Sequence, residues 1–475
     1  MSSTNSPAPT PGLNLLRWRP IASLVRSPLF PDAIQIMILA LFVGLAVFSW
    51  QLFPPEGVPD KLYAKSNIVN LVIWGLSWPA MVWIMVGFGR VWCAVCPLEW
   101  LAKVSERLGR AVGVRQRAVG RWLQSGVLML LFYGLLQMLV PGLHLHRVPA
   151  YTSVFLWSLL FGAVIVGFLM RDRAFCRGFC PVGLMLGTYG RGSMLAVRAV
   201  TPAGNDAVLD AERAATAAHH RDASGRCPSL LNPPRLASNA DCLLCGRCLK
   251  STEPQSELGL FLRRPFHPAD ARPALASWPV TVFVIMVSGF VASELCSEWS
   301  AAKAAFAWVP DQVTAAWGAK SLGGWIEGVW TIVLVPLAVW LILGGAVRAA
   351  GGARSLGEAW RRLALPAAVI IAAGQMAKGL AKFMSWAGYL PLAFREPRGI
   401  DTALAIQAKS LSQPAGLISL STVSVISLIL VAAMIVFALR ESRLADATTH
   451  RSRLAPLLLL GAATLGLILG WGLQS

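Results

Sequence analysis

Nine long apolar stretches constrain this chain more than any other feature, near residues 33–53, 68–88, 123–141, 151–170, 277–296, 326–347, 363–383, 416–438 and 454–472. Each is long enough to cross a hydrocarbon core of about 30 Å as a helix, and within lipid the backbone must satisfy its own hydrogen bonds. The expected fold class is an all-α polytopic membrane protein with about nine transmembrane helices. Composition agrees, because charged residues make up 14% of 475 and mean hydropathy is +0.59, whereas a soluble domain carries about a quarter charged residues.

The connecting segments alternate in charge. With the N-terminus inside, the inward segments hold 32 Lys/Arg, 14 of them in 171–276, and the outward segments hold 8. Positive-inside topology places the N-terminus in the cytosol and the C-terminus in the periplasm. It also accounts for most of the +19 net charge, so no nucleic acid is called for. Residues 1–32 read as a cytosolic Pro/Ser/Thr-rich tail without a signal peptide.

A short motif occurs twice. Gly89-Arg90-Val91-Trp92-Cys93-Ala94-Val95-Cys96-Pro97-Leu98 follows the second stretch, and Asp172-Arg173-Ala174-Phe175-Cys176-Arg177-Gly178-Phe179-Cys180-Pro181-Val182 follows the fourth. Both run Arg-x-aromatic-Cys, then Cys-Pro and an aliphatic residue, with two residues between the cysteines in one copy and three in the other. Residues 33–170 therefore read as duplicated helical hairpins, each delivering a cysteine pair to the cytosolic side. Residues 171–276 form the one sizeable soluble insert, with a helix expected over 204–223 and a loop over 227–240. Residues 277–475 form a five-helix membrane domain.

Eight of the nine cysteines fall on the reducing cytosolic side, which disfavours a disulfide framework and favours metal or redox work. Cys242-x2-Cys245-x2-Cys248 is the strongest signal, since three evenly stepped thiolates can each reach a different iron of one cubane. Gly246 permits a tight turn beside it. Thr252 stands where a fourth cysteine would continue the pattern, and Cys227-Pro228 upstream supplies that form. Cys227, Cys242, Cys245 and Cys248 are assigned to one [4Fe–4S] cluster, in preference to zinc, which favours paired Cys-x2–4-Cys units. Three readings stay open for Cys93, Cys96, Cys176 and Cys180: a second cluster, a thiol relay, or structural packing. Cys296 stands alone and reads as a small packing residue.

These motifs together resemble the NapH/NosR-type membrane polyferredoxins, over roughly residues 33–255. The resemblance implies single-electron transfer between a cytosolic or quinol donor and a periplasmic redox partner in a bacterial inner membrane. The chain departs from that family in its short first loop, its single ferredoxin half-motif and its missing flavin attachment sequence. In architecture it is also similar to the polyferredoxin that accompanies iron permeases using a periplasmic cupredoxin-like protein, which keeps iron uptake among the candidate pathways.

No constellation of catalytic side chains is present, and nothing supports a bound quinone or haem beyond His144, His146 and His267, which read as satisfied interfacial histidines. Lys378 and Lys382 read as snorkelling to the interface, with a Glu294–Lys378 pair as the alternative. The 19 tryptophans read as interfacial belts. Two rivals to electron transfer remain, a transporter and a metal or redox sensor built on an iron–sulfur or zinc site.

Overall fold

The computed structural model describes residues 12–200, 227, 229–250, 258–318 and 320–474. The described chain is mostly helical. It begins with β1 (Leu13–Asn14) and the short basic helix α1 (Arg19–Arg26). The apolar helices α2 (Asp32–Phe48) and α3 (Ile68–Phe88) follow, then the turn α4 (Val91–Val95) and α5 (Pro97–Ala111). The second half of the repeat is α6 (Val127–Gly142), α7 (Pro149–Leu169) and, beyond its cysteines, α8 (Gly183–Tyr189).

Strands β2 (Leu195–Ala199) and β3 (Leu258–Leu262) lie in the insert. After them come α9 (Trp278–Cys296), α10 (Ser300–Trp317), α11 (Gly323–Ala349), α12 (Leu356–Ala387), α13 (Ile400–Gln407), α14 (Leu420–Ala445) and α15 (His450–Leu473).

Seven of these helices, α3, α7, α9, α11, α12, α14 and α15, are long and apolar enough to cross a membrane. The other two expected spans, α2 and α6, are shorter apolar helices of 17 and 16 residues. At 1.5 Å per residue each reaches only about 25 Å. Left-handed Gly126 opens α6, and left-handed Gln51 turns the chain out of the helix just beyond α2. The segment between α9 and α11, read from sequence as an aromatic loop, is the helix α10, on which Trp308 and Trp317 are exposed.

α12 is the hub. Its alanines at 367, 368, 372, 373 and 377 are all buried, and their small side chains let neighbours approach its backbone closely. It packs on α3 from the first half of the chain and on α9, α11, α14 and α15 from the second. In its most apolar window 89% of the residues are buried, against 33–44% in the other six spans.

At the end of the bundle that carries the cysteines, the strands form one antiparallel sheet in the order β1–β3–β2, with Leu262 opposite both Leu13 and Leu195. Buried ion pairs fasten this layer. Asp270 holds Arg198 at 2.8 Å and Arg263 at 2.5 Å, while Glu441 of α14 holds Arg272 at 2.6 Å. The helix expected over 204–223 lies outside the described residues. The described residues of the 227–240 segment form loop, with a tight helical turn at Pro233–Arg235.

Candidate metal centre

The two copies of the repeat build matching cysteine turns. In the first, α4 closes with the Cys96 amide reaching the Cys93 carbonyl at 3.4 Å. In the second, which has one more residue, the turn widens to a π-type turn and the Cys180 amide reaches back to the Phe175 carbonyl at 2.9 Å. The wider turn absorbs the extra residue, so the unequal spacing does not spoil the match. Each copy then meets proline and starts a helix. Cys96 stands before Pro97 at the start of α5, and Cys180 precedes Pro181 and α8.

This placement aims free amides at sulfur. The Leu98 and Glu99 N–H groups reach the Cys96 thiol, and those of Val182 and Gly183 reach the Cys180 thiol. Helix N-termini favour negative charge, so these amides partly offset the cost of burying charge at each second cysteine.

Cys93, Cys96, Cys176 and Cys180 lie within mutual electrostatic reach. Cys96, Cys176 and Cys180 pack among Leu98, Ala102, Leu160 and Phe175, and Cys93 is buried in the main core. Burial pushes the Cys180 thiol up to about 11, the nearby Cys93 adding to it and the Val182 and Gly183 amides opposing it. Burial likewise raises Cys96, and it raises Cys176 well above the usual thiol value with help from Glu99.

The second quartet lies beside the first. Cys227, Cys242, Cys245 and Cys248 are again within mutual reach, and all four are half-buried. Burial pushes Cys242 up to about 11, while the Leu244 amide pulls it back. Leu244 at φ +52 and Gly246 at φ +70 give the loop two left-handed residues that curl it around its thiols. Val25 of α1 and Leu244 and Leu249 of the loop enclose Cys242 and Cys248, and Lys250 ties the loop down by donating to the Ser27 carbonyl at 2.7 Å. The N-terminal segment therefore lies over the Cys242–Cys248 loop. The sequence gives no sign of this.

Among the described residues, no three His, Cys, Asp or Glu side chains are grouped to hold a single metal ion. A cubane asks for something else, because its four thiolates bind four different irons. The donor set fits that group in three respects: two sets of four thiols, amides aimed at sulfur, and buried cations beside them. Arg90 and Arg173 are both buried. Arg90 donates to the Ala240 carbonyl at 3.1 Å and also bonds the Cys93 sulfur. Arg173 pairs with buried Glu99 at 2.5 Å, and its Nη1 has no hydrogen-bond partner. Their roles were not legible in the sequence.

The other singled-out residues sit elsewhere. Lys378 does not snorkel. It is buried, with Glu298 at 2.5 Å, the Ser297 hydroxyl at 2.7 Å and Glu294 at 3.8 Å. The sequence pointed to Glu294, but Glu298 is the nearer partner, because the turn after α9 folds it back over α12. Lys382 lies over the Trp386 ring at 4.9 Å.

Both lysines line a small cavity of about 60 Å³, partly open to the outside, together with Trp74, Gln137, His146 and Gln375. Gln375 accepts a hydrogen bond at 2.9 Å from Tyr189, the last residue of α8, so polar contact runs from this cavity toward the cysteine turns. His144 meets Asp60 at 2.7 Å, His146 accepts from Arg147 at 3.1 Å, and His267 accepts from the Ala269 amide at 3.2 Å. Cys296 is buried at the end of α9, away from both quartets. The chain matches no family model, no curated protein and no solved structure.

Proposed function

We propose that this protein is a membrane iron–sulfur electron carrier with one [4Fe–4S] cluster on Cys227, Cys242, Cys245 and Cys248 and a second on Cys93, Cys96, Cys176 and Cys180. The observation that carries the reading is the juxtaposition of two largely half-buried thiol quartets, one at paired helix N-termini and one in a curled loop, with arginines beside them. Such clusters supply one-electron transfer at a potential tuned by burial, charge and hydrogen bonds to sulfur.

The chain's own contribution is threefold. It gathers eight buried or half-buried thiols, directs amides at Cys96 and Cys180, and sets guanidinium charge beside both quartets. Nine spans, with α2 and α6 completing the set, would place the N-terminus and both quartets on the cytosolic side of a bacterial inner membrane and the C-terminus in the periplasm. Donors are then a cytosolic protein or a quinol, the acceptor is a periplasmic redox protein, and the pathway is a respiratory reductase or iron uptake. A second reading, a transporter regulated by its metal site, draws on the cavity around Lys378 and Glu294.

Metal analysis of anaerobically purified protein separates these. Eight irons per chain with equal acid-labile sulfide, and two reduced-cluster EPR signals, are expected. Zinc without sulfide would overturn the electron-carrier reading and leave a sensor or transporter.

A further inference from the structure

The duplicated motif has one shared charged member that thiol ligation leaves unexplained, the arginine three residues before the first cysteine of each copy. In both copies a left-handed backbone step at this point turns the chain. Gly89 has φ +75 before Arg90, and Asp172 and Arg173 have φ +64 and +52. Two consecutive non-glycine residues in that region are costly. They persist here because the surroundings fix the Arg173 side chain, buried against Glu99, whose carboxylate also takes a hydrogen bond from Gln35 at 2.5 Å.

Arg173 faces thiols of both quartets, and Arg90 faces one quartet and is tied to the backbone leading into the other. Arg90 bonds the Cys93 sulfur of its own copy and has Cys180 nearby, while its Nη1 holds the Ala240 carbonyl at 3.1 Å, next to Asp241 and Cys242. Arg173 is within electrostatic reach of Cys176 in its own copy and of Cys245 and Cys227 across the gap. Val91, directly after Arg90, packs in the apolar group that encloses Cys242 and Cys248. No carboxylate pairs with Arg90 at ion-pair distance among the described residues, although Asp241 is in its surroundings. Burying a guanidinium without negative charge is strongly unfavourable, and thiolates bound to iron supply that charge.

We propose that Arg90 and Arg173 are a pseudo-symmetric pair of positioning residues that join the two thiol quartets through shared positive charge, so that both redox potentials depend on the same two guanidiniums. The inference rests on the two-cluster reading above. Because reduction adds negative charge at either quartet, cations common to both favour the reduced state of both and hold their potentials together.

The test is an EPR-monitored redox titration of the full-length protein, purified anaerobically in detergent, comparing wild type with Arg173→Met, Arg90→Met and the two lysine variants. Each methionine variant is expected to make reduction of both signals about tenfold less favourable, about 59 mV lower for a one-electron couple. The lysine variants should stay close to wild type. A shift confined to one signal, or no shift, overturns the proposal.

Where a methionine variant loses iron, the lysine variant decides. Retention of both signals at wild-type potentials supports the charge role, and loss of iron from it too assigns the arginine a purely structural role and overturns the proposal. If wild type itself lacks two iron–sulfur signals, the two-cluster reading fails and takes the inference with it. A two-signal wild type with unshifted methionine variants removes the inference alone.

Discussion

At Gly89 the chain leaves α3 with φ +75 and ψ −146, a conformation that is essentially glycine's own. The space is closed as well, because a Cβ there would come 2.6 Å from the Ser193 hydroxyl. Gly89→Ala is expected to cost about 1–3 kcal/mol through the backbone alone and to displace Arg90. A thermal melt in detergent, read with the iron content, checks this, and an unchanged melt would show that the turn can relax. The same residue shows what single letters reveal. Gly89 and Arg90 were visible as parts of a repeated motif, but no spacing could show that Arg90 reaches Ala240, since that contact joins residues 150 apart in sequence.

At the scale of elements, the repeat makes a sharp prediction. If both cysteine turns hold one cluster together, replacing Cys93 and Cys176 with serine should remove about half the iron and one of two EPR signals. The signal belonging to the Cys242 loop should persist. Iron content unchanged in that double variant would leave only duplicated hairpins.

A second element, α13, depends on a cap. The Glu396 carboxylate accepts from the Ile400, Asp401 and Thr402 amides at 2.7–3.1 Å. Burial works against ionisation, but these hydrogen bonds, with Thr402 first, hold the carboxyl below its ordinary value of 4.5. A carboxyl depressed in the fold adds stability above its unfolded pKa and loses it as pH falls through the folded one. Protection of the α13 amides, once the intrinsic pH dependence of exchange is divided out, should therefore be constant at neutral pH and fall below about pH 4. Glu396→Gln should cost roughly 1 kcal/mol at pH 7 and flatten that acid response.

Hydrophobic periodicity made the long spans legible. It could not reveal the sheet, whose strands of two to five residues lie far apart in the chain and are defined only by pairing. Nor could it reveal α10, whose Ala- and Trp-rich sequence reads equally as an interfacial loop.

For the whole molecule, the charge split implies an orientation that labelling can read. A cysteine introduced at exposed Ser410, beyond α13, should react with a membrane-impermeant thiol reagent in intact cells, whereas one at exposed Ala237, in the insert that carries the Cys242 loop, should not. The opposite pattern would reverse the topology and place both quartets outside the reducing compartment.

The central position of α12 has a consequence for how the chain is made. This helix carries Gln375, Lys378 and Lys382 inside its span, and almost none of it faces outward. Each lysine would weigh about 2.5–3.5 kcal/mol against entry into lipid, so α12 emerging from the ribosome is a poor candidate to partition alone. Its partners arrive on both sides of it in time. Glu298, α3 and α9 are already synthesised, but α14 and α15, which cover the rest of its surface, are not. A chain truncated after α13 should hold α12 only partly enclosed and be handed to membrane proteases. Biogenesis of the bundle would then close from its C-terminus inward, around a helix that waits for the last two to arrive.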